Sequence, residues 1–189
     1  MEMTKQDLRV VRTRNAIVAA FEELVLVEEL DRITVKGITD RAGINRKTFY
    51  LHFETIEALY NDILREMLDN FFERYEETPD VPEDIGGHAR RFFLYMAGQP
   101  AYIERMVCQP SHFGFGKRVY WEQMSRYRAE GNPFRWMPDG QKRLVMRFIR
   151  STALDFYRGW VAEGKAVPPE EAADLVARLT LDGVRSLMR

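Results

Sequence analysis

The stretch ITVKGITDRAGINRKTFYLHF, from Ile33 to Phe53, contains two short amphipathic segments joined by a turn. Its apolar spacing predicts two helices of about two turns each, over residues 35–42 and from residue 45 or 46 to residue 52. Gly43 lies between them, and glycine readily adopts the positive φ that a tight turn often needs. Two short helices joined by such a turn form a helix-turn-helix, whose second helix can enter the major groove of DNA.

Each residue of this stretch has a physical role in that arrangement. We expect Val35, Ile38 and Ala42 to face inward, because their spacing places them on one side of a helix. Phe49 and Phe53 lie four residues apart and should anchor the second helix in the same way. The residues left outward or terminal are hydrogen-bond donors suited to phosphates and base edges: Asn45, Arg46, Lys47, Thr48 and Tyr50.

Helical periodicity continues through most of the chain, interrupted by proline and glycine. Helices are expected near residues 7–28, 55–78, 83–98, 100–108, 116–130, 140–164 and 168–188. No alternating β-branched run is followed by a hairpin dipeptide, so no strand is predicted. The predicted fold class is all-α.

The composition is that of an ordinary globular protein. The chain has 189 residues, of which 46% are hydrophobic and 30% charged. It contains no apolar run approaching the ~20 residues that span a bilayer, and no signal peptide is visible. Cys108 is the one cysteine, so no internal disulfide can form. We therefore expect a cytoplasmic protein with no membrane partner.

Charge is unevenly distributed near the N-terminus although the net charge is only −1. Residues 1–20 carry a net charge of +2 (four basic, two acidic) and residues 32–47 carry +4 (five basic, one acidic). The intervening residues 21–31 carry five acidic and no basic side chains. Two basic segments suit a local nucleic-acid surface, and alternating solvated faces are the other interpretation of the same pattern.

This region resembles the TetR family of bacterial transcriptional regulators. The resemblance covers about residues 8–68 and rests on Ile33-Thr-Val, Ala42-Gly-Ile and Thr48-Phe-Tyr-Leu-His-Phe53. The chain departs from the family pattern at two positions. Gly37 stands where many members close a capping box with an acidic residue, and Ile56 where many carry a lysine that meets a phosphate. One contact to the DNA backbone is therefore expected to be missing or supplied by a neighbour.

The resemblance implies three segments: a helix-turn-helix domain over residues 1–54, a connecting helix over 55–78, and a ligand-binding and dimerisation domain over 79–189. Near base edges it places Asn45, Arg46, Lys47 and Thr48, and on the DNA backbone Thr34, Lys36, Tyr50 and His52. Any of these could instead be a solvated or capping residue, and Tyr50 and His52 could pack within the domain. Arg12 and Arg14, near the start of the first helix, are equally compatible with phosphate contact and with plain solvation.

The C-terminal segment is expected to hold a ligand and a second copy of the chain. Candidate ligand-binding residues are Phe92, Tyr95, Met96, Tyr102, Met106, Trp121, Met124, Tyr127, Phe148 and Phe156. Candidate dimer-interface residues are Phe148, Thr152, Phe156, Gly159, Leu175, Leu179, Gly183 and Leu187. Both sets could instead belong to the monomer's own core, because aromatic residues at helical spacing are more often core than cavity.

No catalytic constellation is recognisable, so we expect no enzyme activity and no cofactor. Cys108 and His112 are four residues apart, but Pro110 separates them and no third ligand is evident, so no metal is expected. His88 is expected at the surface. The leading hypothesis is a homodimeric repressor that a small apolar or amphipathic molecule releases from a palindromic operator. The alternatives are a helix-turn-helix regulator whose C-terminal domain receives a protein or no ligand, and an all-α enzyme.

Overall fold

The computed structural model describes residues 5–75, 84–109, 134 and 136–188. Within these ranges all regular structure is helical, as predicted. The α-helices are α1 (Lys5–Val27), α2 (Val35–Ala42), α3 (Arg46–His52), α4 (Ile56–Tyr75), α5 (Ile85–Ala97), α6 (Ala101–Cys108), α7 (Asp139–Ala162) and α8 (Pro169–Val184). Short 3₁₀ turns cover Leu30–Arg32 and Arg185–Leu187. The helix expected over residues 116–130 lies outside the described residues.

Side-chain caps fix where several of these helices begin. The Thr34 hydroxyl accepts a hydrogen bond from the Gly37 amide at 3.1 Å, and the Thr55 hydroxyl accepts one from the Ala58 amide at 3.0 Å. At α5 the carboxylate of Asp84 accepts from a backbone amide in the same way. Each cap satisfies an amide that has no partner inside its helix, so these starts are specified locally.

The described residues divide into two compact units, of which the first comprises Met1–Met67 and Pro100–Phe113. In this unit α1 packs against α2 and α6, and α2 packs against α3. The core includes Phe21, Ile38 and Leu59, each fully buried. The buried Tyr60 hydroxyl donates to the backbone carbonyl of Met106 at 2.9 Å, which ties α6 to α4.

The second unit comprises Leu68–Gln99 and Gly114–Arg189, and α5, α7 and α8 pack against one another within it. Its interior is strongly aromatic. The rings of Phe71 and Phe92 meet edge to face with their centroids 5.4 Å apart, and those of Phe93 and Tyr157 do so with their centroids 5.9 Å apart. The Tyr157 hydroxyl donates to the Met96 carbonyl at 3.2 Å. This interior depends on burial of large rings with satisfied polar tips.

The two units do not coincide with the three sequence segments. Residues of α4 through Met67 belong to the first unit and those from Leu68 to the second, and α6 packs with the first unit although the sequence division placed it in the C-terminal domain. Whether the functional domains end at residues 54 and 78 stays a prediction. Among the described residues no helix is long and apolar enough to cross a membrane.

Candidate nucleic-acid interface

Helix α3 divides into a buried side and an exposed side. Phe49 is fully buried and Phe53, which caps the helix, is 6% exposed, so the predicted anchoring role of both is confirmed. Arg46, Lys47 and Tyr50 are exposed. At about 100° per residue, Lys47 lies roughly opposite Phe49 on the helix circumference. The helix therefore presents a mainly polar surface while its aromatic side holds it in place.

The turn before α3 has the geometry expected from its residues. Gly43 has φ +66° and ψ +33°, in the left-handed region that favours glycine. The side-chain oxygen of Asn45 accepts from both the backbone amide and the hydroxyl of Thr48, at 2.8 and 3.0 Å. Asn45 is thus the cap of α3, and its oxygen and the Thr48 hydroxyl are engaged with each other. Arg46 and Lys47 form no ion pair among the described residues, which leaves their charges available to a ligand.

The α2 candidates also have structural roles. Thr34 caps α2, and the ammonium group of Lys36 lies 3.2 Å from the Asp40 carboxylate one turn away. Both side chains of this ion pair are exposed, so it stabilises little and does not prevent contact with a phosphate. His52 is half-buried, and its ring lies 6.5 Å from that of Phe53. Thr39, which the apolar spacing of α2 does not assign to the core, is 2% exposed.

An open depression on the first unit brings together the chain before α2, the outer side of α3 and the start of α4. It is lined by Leu30, Asp31, Ile33, Val35, Tyr50, Glu54, Thr55, Ile56 and Glu57. None of these lining residues is basic, so none of them replaces the lysine whose expected position Ile56 occupies. Three are acidic, and their charge disfavours a phosphate at this place.

Arg14 forms ion pairs within the protein. Its guanidinium lies 2.5 Å from Asp62 and 3.4 Å from Glu66, which ties α1 to α4. Burial lowers the pKa of Arg14, but hydrogen bonds and charge attraction from these two carboxylates outweigh burial and leave the pKa above its ordinary value. Arg12 is exposed and remains a candidate for phosphate contact.

The candidate ligand-binding residues are distributed over both units. Phe92 and Met96 are buried in the second unit, and burial there raises the pKa of the half-buried Tyr95. Tyr102 and Met106 belong to α6 in the first unit. Phe148 is 49% exposed, so its ring lies at the surface, and Phe156 contacts Phe93 at 5.9 Å. Trp121, Met124 and Tyr127 lie outside the described residues.

Some of the candidate interface residues form an exposed stripe on the second unit. Leu175, Leu179, Gly183 and Leu187 follow one another at four-residue intervals, and all are exposed. A Cβ atom on Gly183 would lie 3.2 Å from the ring of Phe148, so this side of α8 adjoins α7. On α7, Leu144 and Gly159 are exposed, and Thr152 and Phe156 are half-buried.

The prediction that His88 lies at the surface is wrong. The side chain is half-buried, and the centroid of its ring lies 5.6 Å from that of Phe71 in an edge-to-face contact. The pKa of His88 is lowered to about 4, chiefly by burial and secondly by the charge of Arg91, while the charge of Asp84 acts in the opposite direction. Among the described residues no three His, Cys, Asp or Glu side chains form a group that could hold a metal ion.

Comparison with known proteins finds similarity both to a family and over most of the chain. Residues 17–63 match the family described as bacterial regulatory proteins, tetR family. The HTH-type transcriptional repressor KstR2 of Rhodococcus jostii is 29% identical over 169 residues, covering 81% of each chain. The solved structure of NalD, the secondary repressor of the MexAB-OprM multidrug efflux pump in Pseudomonas aeruginosa, matches with a TM-score of 0.66 and 18% identity, covering 93% of this chain and 96% of NalD. FadR of Bacillus subtilis in complex with stearoyl-CoA matches with a TM-score of 0.57 and 15% identity, covering 92% of this chain and 98% of FadR.

Proposed function

We propose that this chain, which belongs to the TetR family of bacterial regulatory proteins, is a cytoplasmic homodimeric repressor that binds a palindromic operator and is released from it by a small molecule. Its relatives are transcriptional regulators rather than enzymes, in agreement with the expectation of no enzyme activity. The observation that carries the proposal is the exposed polar side of α3, held by the buried rings of Phe49 and Phe53. The name of the KstR2 relative supports repression as the mode of regulation.

Two cations carry the proposed DNA contact. Arg46 and Lys47 are adjacent, exposed and free of ion pairs within the described residues. Arginine and lysine donate to the guanine O6 and N7 atoms, and a good contact of this kind discriminates by about 1–3 kcal/mol. Asn45 and Thr48 would contribute less, because they already engage each other. We therefore expect most of the sequence preference to depend on the two cations.

Substitution of both cations tests this assignment. We expect Arg46→Ala with Lys47→Ala to lower affinity for the selected operator by at least about 100-fold in a mobility-shift assay at constant salt. A control pair, Arg65→Ala with Arg74→Ala, removes equal charge from exposed positions of α4. Circular dichroism should be unchanged for both pairs. Equal operator binding by the α3 pair and wild type would refute the recognition-helix assignment.

A dimer follows from the need to read two half-sites. One short helix contacts few base pairs, and a twofold axis would place the second α3 about one DNA turn away, ~34–36 Å. The exposed leucines Leu175, Leu179 and Leu187 on the second unit support an interface there, because they follow one another at intervals of four and eight residues and leave apolar surface in contact with water. Gly159 would permit close approach of a partner helix, whereas the protomer's own Phe148 ring occupies the space beside Gly183.

Gly159 provides a selective test of this interface. A Cβ atom there would have no neighbour within 4 Å, so a larger side chain is compatible with the protomer itself. We expect Gly159→Leu to shift the chain from dimer to monomer in sedimentation experiments while its helicity is retained. Gly140→Leu serves as the control, because a Cβ atom at Gly140 meets only the end of the Arg143 side chain, at 4.0 Å. A dimer as stable as wild type in the Gly159 variant would contradict the proposed interface.

The proposed effector site lies in the second unit. Its interior is packed with large rings such as Phe92 and Phe93, and typical small-molecule sites are apolar with a few polar groups. Because α4 contributes residues to both units, a ligand that prefers one position of its C-terminal half could alter the spacing of the two α3 helices. The ligand must bind the two states with different affinity for release to occur.

Stearoyl-CoA is a suitable first probe, because the FadR structure contains it. We expect the protein to bind stearoyl-CoA with micromolar affinity and, when saturated with it, to bind the operator at least about tenfold more weakly. The same measurement with free coenzyme A tests whether the acyl chain is needed. A ligand that saturates the protein and leaves operator affinity unchanged would refute the switch. If the free chain is monomeric and its apolar stripe binds another protein, the alternative of a protein-controlled regulator is favoured.

A further inference from the structure

One of the exposed residues of α3 is apolar. Leu51 is 84% exposed, which is the largest exposed fraction among the exposed large apolar side chains of the described residues. At about 100° per residue it lies roughly 200° from Phe49, almost diametrically opposite the buried side. It shares this outer edge with Lys47, one turn earlier. The fold makes no use of the Leu51 side chain, so its apolar character is available to a ligand of α3.

We infer that Leu51 is a specificity residue that packs against the C5-methyl group of a thymine in each half-site of the operator. This inference rests on the proposed DNA-binding function of α3. The floor of the major groove is polar except for the thymine methyl, which is the feature that an apolar side chain can recognise. Leu51 lies beside Lys47 on the side of α3 opposite the buried Phe49, which is the side that a recognition helix turns toward the groove.

The inference adds a kind of readout that the polar residues cannot provide. Arg46 and Lys47 donate hydrogen bonds and favour guanine acceptors, whereas a thymine methyl can be recognised only by contact and exclusion of water. Burial of one methyl group changes affinity about fourfold. Two symmetric half-sites would together contribute about fifteenfold, enough to distinguish an operator from a variant that lacks the methyl groups.

Deoxyuridine provides the test, because it pairs as thymine does and lacks only the methyl group. Operators are first selected from a pool of random-sequence duplexes with the full chain, and each half-site thymine is then replaced by deoxyuridine in symmetric pairs. We expect one pair of replacements to lower wild-type affinity by about fifteenfold. Leu51→Ala should lower affinity for the thymine duplex by a similar factor and should cause no further loss on that deoxyuridine duplex.

Leu26→Ala is the matched control, since Leu26 is an exposed leucine of α1 in the same unit. Its effect should be equal on both duplexes. The inference is overturned if every deoxyuridine duplex binds wild type as tightly as the thymine duplex does. It is also overturned if Leu51→Ala lowers affinity by the same factor for the thymine duplex and for the deoxyuridine duplex. The second outcome would indicate a structural role or a protein contact for Leu51. Failure of wild type to enrich any sequence would overturn the proposed function as well, so the two failures are distinguishable.

Discussion

Two glycines of the helix-turn-helix should respond in opposite directions to the same substitution. Gly37 lies within α2 at a helical φ, where a Cβ atom would meet Thr34 Oγ1 at 3.5 Å and Leu24 Cδ1 at 3.8 Å, both ordinary contact distances. Gly37→Ala should therefore raise the free energy of unfolding by about 0.5–1 kcal/mol, because alanine loses less conformational entropy in a helix. Gly43→Ala should lower it by about 1–2 kcal/mol, because φ +66° is unfavourable for a residue with a Cβ atom.

Amide hydrogen exchange measures these changes locally, so that unfolding of the second unit does not obscure them. The amide of Ile44, which donates to the Thr39 carbonyl at 3.1 Å across the turn, is a suitable reporter. A Cβ atom on Gly43 meets nothing within 4 Å, so its expected destabilisation comes from the backbone alone. The variants should differ by about 1.5–3 kcal/mol, and the double variant should be the sum of the two. Changes of the same sign at Gly37 and Gly43 would refute this reasoning.

Three further substitutions test other contacts. Tyr60→Phe removes the buried hydroxyl that donates to the Met106 carbonyl. The free energy of unfolding measured in urea should therefore decrease by about 1–2 kcal/mol. Asp62→Asn weakens the partly exposed ion pair with Arg14 and should lower the free energy of unfolding by at most about 1 kcal/mol. The difference between variant and wild type should become smaller in 1 M salt. Because the pKa of His88 falls from 6.5 to about 4 on folding, the unfolded chain binds more protons between these values. Stability should therefore decrease by about 1–3 kcal/mol as the pH falls from 6.5 to 4, and His88→Gln should reduce this slope in pH-dependent urea titrations.

The local parts of the fold could be predicted from sequence because their causes lie within a few residues. Residues 35–42 form α2 as predicted, and Asn45 caps α3 through an amide only three residues away. The packing of α6 against α1 could not be predicted in this way, because the contacting residues are far apart in sequence: Arg105 of α6 donates to the carbonyl of Glu28, just after α1, 77 residues away. The ion pair of Arg14 could not be predicted for the same reason, because its partner Asp62 lies 48 residues later in the chain. Periodicity identifies an apolar side of a helix but not the surface that covers it.

Helix α7 shows how this ambiguity affects the candidate site. One apolar stripe of α7 is internal: Tyr157 is fully buried, and Trp160, at 9% exposure, donates its indole hydrogen to the Val167 carbonyl at 2.7 Å. Leu144 and Phe148, on the neighbouring stripe, are exposed. Both stripes have helical spacing, so sequence alone assigns Phe148 equally to a pocket and to an interface. Its exposure favours the interface, because an aromatic ring that lines an enclosed pocket would be largely removed from water.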